Sequence, residues 1–177
     1  SGESAPIPLP PGEYEIFVTH GPEFSAYRER VSVTARQTVE VTAPLTRIID
    51  TEGFIAADYH IHMLNSFDTN VTVDQRLTTM VAEGIEYFAA TDHDFVTDVS
   101  ADLARLGMHE MVSAAPGTET TTFNIGHFNI WPQTPDPSSR TGGAPDWGGV
   151  GPAPGMDYPE FGSYDLSPEA LFTQQGD

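Results

Sequence analysis

The stretch FIAADYHIHMLNSFDTNVTVDQRLTTMVAEGIEYFAATDHD, residues 54–94, decides how the chain reads. FIAADYHI has the apolar and aromatic content of a strand, and TVDQRLTTMVAEG repeats apolar residues at helical spacing. Thr72 or Asp74 caps that helix and Gly84 stops it. IEYFAATDH then returns to strand grammar, which makes the whole stretch a β–α–β unit. Beyond it, VTDVSADLARLG predicts a second helix ending at Gly107, MVSAAPGTE a third strand and GHFNIWP a fourth. Strands alternating with helices at this spacing predict an α/β fold with a mostly parallel sheet.

The same stretch concentrates histidine. On a strand, residues i and i+2 point to one side, so Asp58, His60 and His62 are expected to project from one face. Their Cβ atoms should lie about 6.7 Å apart, a span that one metal ion bridges from two imidazoles. They close their strand, and parallel βα folds collect their chemistry at the C-terminal ends of strands. His93 follows EYFAAT at a strand tip, Glu119 follows MVSAAPGT, and His127 opens the next strand after a glycine. A lone histidine is more often a surface or core residue than a ligand, and a lone H-x-H is weak. Repetition at four successive elements, in a chain with only six histidines, favours a metal centre. His20, in the turn THGPEF, and His109, between a helix and a strand, read as ordinary surface residues.

Composition sets limits on partners and chemistry. The 177 residues include 26 Asp and Glu against 7 Lys and Arg, a formal net charge of −19. Nothing basic is available to neutralise phosphates in series, so neither nucleic acid nor an anionic membrane is expected as a partner. With no cysteine, thiolate metal sites and disulfides are excluded, leaving imidazole and carboxylate for zinc, iron or manganese. No run of 18 apolar residues exists. Neither a G-x-S-x-G elbow nor a P-loop is present, which argues against covalent or nucleotide-driven alternatives.

Upstream, YEIFVTH, YRERVSV and QTVEVTAPL alternate like antiparallel strands, with Tyr27, Glu29, Val31 and Val33 on one face and Val39 and Val41 marking another strand. They predict part of a small β-sandwich over residues 1–50, ahead of a second domain over 51–177. From Pro132 to Gly162 nearly half the positions are Pro or Gly, which suits a lid or a disordered arm. Ser167 and Pro168 open a last helix. The chain begins without Met and ends two turns into that helix, so a fragment is expected.

Taken in order, D-x-H-x-H, S-x-D, T-D-H-D, G-x-E and G-H resemble the PHP (polymerase and histidinol phosphatase) metallohydrolases. The match is most similar to their CehA/McbA-type branch, and it runs over residues 53–131. The resemblance implies a distorted (β/α)7 barrel with two or three metals at its C-terminal rim. It implies His60 and His62 on one metal, Glu119 as a bridging carboxylate, His127 on the neighbouring metal, and Asp68 with His93 on a further one. Asp58 and Asp92 would hold imidazoles by their other N–H, or ligate directly. The family's late D-x-H has no counterpart here, since no histidine follows His127. A full barrel also needs about 200–250 residues, so only a partial barrel is expected, with weak turnover and a homodimer formed through its open side. The implied activity is hydrolysis of a small-molecule substrate by metal-activated water, phosphoesters first, with carbamates, esters or amides as the alternative. A non-catalytic metal-binding surface module is the reading from a different class.

Overall fold

The structure, a computed structural model, describes residues 2–122, 126–145 and 167–175. The chain divides into two compact units, Ser1–Phe54 with Ala82–Gly84, and Ile55–Val81 with Ile85–Asp177.

The first unit contains an antiparallel hairpin of β1 (Gly12–Val18) and β2 (Tyr27–Val33), in register from Gly12↔Val33 to Val18↔Tyr27. Arg28 meets Glu15 across the pair at 2.6 Å. Val31 is its only buried hydrophobic residue among those described. The expected third strand, residues 37–45, does not form, and Val39 is exposed. A strand needs a partner and an apolar face to cover, and this hairpin supplies neither beyond Val31. Downstream of the hairpin, the chain is tied back by an isolated bridge, Phe24↔Arg47, and by the Ser25 N–H to Thr46 carbonyl bond at 2.8 Å. The predicted β-sandwich is thus a two-stranded hairpin.

The second unit begins as predicted. β3 (Ala57–Ile61), α1 (Val73–Ala82), β4 (Tyr87–Ala90), α2 (Ser100–Leu106) and β5 (Ser113–Pro116) form two successive βα crossovers. Their strands make a parallel sheet ordered β3-β4-β5. Thr72 caps α1 reciprocally with Gln75: its hydroxyl accepts the Gln75 N–H at 3.3 Å, and the Gln75 side chain accepts the Thr72 N–H at 3.0 Å. Asp74, not the cap, sits in the first turn. α2 starts at Ser100 because the Asp98 carboxylate takes the Ser100 N–H at 2.9 Å, and Gly107 ends it at φ 68°. Leu77 and Met80 of α1 and Leu103 of α2 bury against Ile61, Met63, Phe88, Ala90, Val99 and Val112.

After β5 the parallel pattern stops. β6 (Thr118–Thr122) and β7 (Gly126–Ile130) form a separate antiparallel pair, from Thr118↔Ile130 to Thr122↔Gly126. The strand expected as fourth in the parallel sheet is therefore β7, running against β6. Among the described residues there are three small sheets and none closes, so the predicted partial (β/α)7 barrel is not what these strands build. Barrel closure requires each new strand to add in parallel to the last. Only residues 123–125 separate β6 from β7, too few for a parallel crossover.

Of the Pro/Gly-rich stretch, residues 132–145 are described and are held down. Gln133 N–H reaches the Pro116 carbonyl at 2.8 Å, and the Val96 N–H reaches the Thr141 carbonyl at 2.9 Å. Gly142 is required there, because a Cβ would lie 2.4 Å from the Val96 carbonyl oxygen and φ is +65°. Residues 146–162, the rest of the expected lid, lie outside the described residues. The last helix, α3, runs Pro168–Gln175. No helix among the described residues is long and apolar enough to cross a membrane.

Candidate metal centre

Three segments end side by side. β3 ends at Ile61, and Thr91, just past β4, locks onto it: the Thr91 N–H donates to the Ile61 carbonyl at 2.8 Å, and its hydroxyl accepts the Ile61 N–H at 3.0 Å. Ile61 and Met63 turn into the core, so His60 and His62 turn out of it. β6 joins through a parallel bridge between His93 and Glu119. The Glu119 N–H donates to the Asp92 carbonyl at 3.0 Å, and the Asp94 N–H to the Glu119 carbonyl at 3.0 Å. On β6, Glu119 and Thr121 share the side facing His93, as alternation demands.

The side chains that result form a continuous cluster. Glu119 is almost fully buried, and its Oε2 lies 3.0 Å from His60 Nε2, 2.8 Å from His62 Nε2 and 3.5 Å from His93 Nδ1. Its Oε1 lies 3.1 Å from His127 Nδ1. Asp68 Oδ2 lies 2.9 Å from His62 Nδ1 and 3.6 Å from His93 Nε2. The imidazoles stand edge to face, with ring centres 4.6 Å apart for His62 and His93 and 5.2 Å for His93 and His127. All six ligand candidates fall into three overlapping groups: His60, His62 and Glu119; His62, Asp68 and His93; His93, Glu119 and His127. His20 and His109 belong to none of these.

The two other aspartates do different work from that expected. Asp58 accepts the His60 N–H at 3.1 Å, its own strand being irregular between Asp58 and Ile61, and so it is drawn to the backbone. Asp92 holds no imidazole. Its Oδ1 accepts the Met63 N–H at 2.5 Å and its Oδ2 accepts the Thr97 hydroxyl, with no exposure to solvent. It ties the residue after His62 to the residue before His93.

Ionisation follows from these surroundings. Burial pushes the Glu119 carboxyl up, but the His60 hydrogen bond and the charges of His93, His60 and His62 outweigh it and hold the group below its ordinary range. Asp68 is likewise lowered, with burial opposed by Ser66, His62 and His93. Burial depresses His93 in spite of Glu119 and Asp68, which favours the neutral, ligating form. Asp92 is raised by its burial.

The sequence did not point to Thr97, Thr121 or the clamp role of Asp94, and it offered Ser66 only as part of S-x-D. The Thr121 hydroxyl lies 2.5 Å from His93 Nδ1, and Asp94, at φ 51°, accepts the Thr121 N–H at 2.9 Å. Thr121 had a readable signal in its i+2 spacing from Glu119.

The donor set fits a divalent ion. Imidazole nitrogens and a carboxylate suit zinc, iron or manganese. His62 Nε2 is buried and makes no hydrogen bond although Glu119 Oε2 is 2.8 Å away, so a polar atom aimed at the carboxylate stands unpartnered. Ligands on a tetrahedral zinc with bonds of about 2.0–2.1 Å sit about 3.4 Å apart, so these pairs need open by only about half an ångström. No family model and no curated protein matches the chain.

Proposed function

We propose that this chain carries the metal site of a PHP-like, metal-dependent hydrolase whose first substrate class is phosphoesters. The observation that carries the reading is the buried Glu119 carboxylate, which faces four imidazoles from three segments, one with an unbonded buried nitrogen. A bound ion supplies Lewis acidity, activating water and polarising the oxygen under attack. Glu119 anchors the site from beneath, with its side chain 6% exposed. His60 and His127 are about half exposed, which leaves the substrate side open. Arg76 braces the floor, donating from Nε to the His62 carbonyl at 3.0 Å.

Two observations favour carboxylic or carbamate esters as a second reading. Phe67 is 73% exposed and stacks on the His93 ring at 4.4 Å, and Leu64 is exposed two residues past His62. Arg105, one candidate phosphate clamp, is bound by Asp74 and Asp102 instead.

The test is elemental analysis after dialysis, with His60→Ala/His62→Ala as the comparison, followed by assays on p-nitrophenyl phosphate and p-nitrophenyl acetate. The native chain should retain zinc, iron or manganese and the double variant should lose most of it. Equal metal in the two proteins would sink the site. Hydrolysis abolished by Glu119→Gln supports an enzyme, and the preferred ester decides between the substrate readings. Metal without turnover on either ester would make the chain a binding module.

A further inference from the structure

The loop from His62 to Asp68 inverts the usual order of a surface turn. Its polar groups bond inward. The Ser66 N–H donates to the Met63 carbonyl at 2.9 Å, the Ser66 hydroxyl to Asp68 Oδ1 at 2.7 Å, and Asn65 Nδ2 to the buried Thr97 hydroxyl at 3.1 Å. The His93 N–H donates in turn to Ser66 Oγ at 3.2 Å. Met63 enters the core, but the other two large apolar side chains face water: Leu64 is 56% exposed and Phe67 73%. Phe67 is the most exposed large hydrophobic residue among the described residues of the second unit.

Its neighbours fix where that ring stands. Ser66 and Asp68 both bond into the cluster, so Phe67 between them is held at its rim. One face of the ring lies on the His93 imidazole, with centres 4.4 Å apart and planes 21° from parallel. His62 and His127 meet the same imidazole edge to face, at 79° and 85°. Phe67 thus stands one ring away from a candidate ligand. A residue that only shielded His93 would bury its own ring as well. Phe67 instead keeps most of its surface in water on a loop tied down by hydrogen bonds, and preformed apolar surface of this kind beside a few polar groups is how small-molecule sites are lined.

We propose that Phe67 is a specificity-determining residue whose exposed ring takes an aryl group of the substrate, so that the site prefers aryl to small alkyl substituents. Offset or edge-to-face ring contacts add to area burial, which an alkyl group cannot match. The proposal rests on the metal-site reading above and names the substituent, not the bond cleaved. It applies to phosphoesters and to carboxylic or carbamate esters alike.

The probes are acetohydroxamate and benzohydroxamate, which bind a metal ion through the same two oxygens and differ only in methyl against phenyl. Calorimetry on the whole, zinc-loaded chain gives the ratio of their affinities for native protein, Phe67→Ala and Phe67→Leu. Met111→Ala, at an exposed apolar residue between α2 and β5, is the control. Native protein should favour benzohydroxamate about tenfold. That preference should vanish in Phe67→Ala, shrink in Phe67→Leu and persist in Met111→Ala, at equal zinc content throughout. Loss of zinc from Phe67→Ala, or weaker binding of both probes at an unchanged ratio, is the mark of a shield and overturns the proposal. So does a ratio that Met111→Ala moves as much, or a zinc-loaded chain that takes neither probe. These outcomes leave zinc binding by the native chain standing. A native chain that binds no zinc overturns the metal-site reading as well.

Discussion

Asp74 is exposed and lies 2.5 Å from Arg105 Nη2, which also reaches Asp102 at 2.7 Å. The Arg105 hydrogen bond, slightly opposed by desolvation and aided by its charge, holds the Asp74 carboxyl below its ordinary value. A carboxyl lowered in the folded state contributes stability that is full above its unfolded value, about 3.9, and is lost as pH falls through the folded one. Carboxyl-detected NMR should therefore show the Asp74 midpoint rising toward that value in Arg105→Gln. The stability gap between the two proteins should also close as the solution is acidified below the native midpoint. An unmoved midpoint would mean that the contact does not persist in solution. The clustered histidines and Glu119 were the residues most readable from sequence, because a histidine or glutamate at a strand end needs only the strand to be aimed. Thr97, and the roles of Ser66 and Asp92, were opaque for the opposite reason: each acts through a backbone N–H or hydroxyl about 5–30 residues distant, and no spacing rule carries that.

At the scale of elements, Gly117 joins β5 to β6 in a passage with no room. A Cβ there would meet the Ile130 carbonyl oxygen at 2.8 Å, Trp131 Cβ at 2.9 Å and the Ala90 carbonyl oxygen at 3.0 Å. Two of these three are backbone and cannot swing aside. Gly117→Ala should cost about 1–3 kcal/mol, read as a lower urea midpoint. It should also weaken zinc binding, since Glu119 lies two residues on. An unchanged midpoint would show that β5 and β7 separate freely. The elements from β3 to β5 were legible because local period and capping agree with the packing: Thr72 caps, and Leu77 and Met80 bury. The strand expected at residues 37–45 and the barrel were not, because a partner strand and closure are non-local properties that alternation does not encode.

The whole molecule carries −19 formal charges, so repulsion among carboxylates outweighs the few ion pairs, of which Arg28–Glu15 and Arg47–Glu23 are typical. Sodium chloride screens both, but repulsive pairs outnumber attractive ones. The melting temperature should rise as salt is added from millimolar to about 0.5 M in metal-free buffer, a range over which the screening length falls from roughly 30 Å at 0.01 M toward a few ångströms. A fall in melting temperature would assign more weight to the surface ion pairs than their exposure suggests.

The bond between His60 and Glu119 spans 59 positions of sequence. A ribosome delivers the chain in order, so His60 and His62 emerge well before the carboxylate that completes their site. Until β6 has left the exit tunnel, the nascent chain offers His60, His62, Asp68 and His93 without the carboxylate that joins them. On the metal-site proposal, loading waits until the parallel sheet is available to receive β6. The hydrophobic cluster around Leu77 and Phe88 contains none of the ligands, so it can assemble beforehand. On the same proposal, the ion is the last part to arrive during synthesis, after the carboxylate that anchors it.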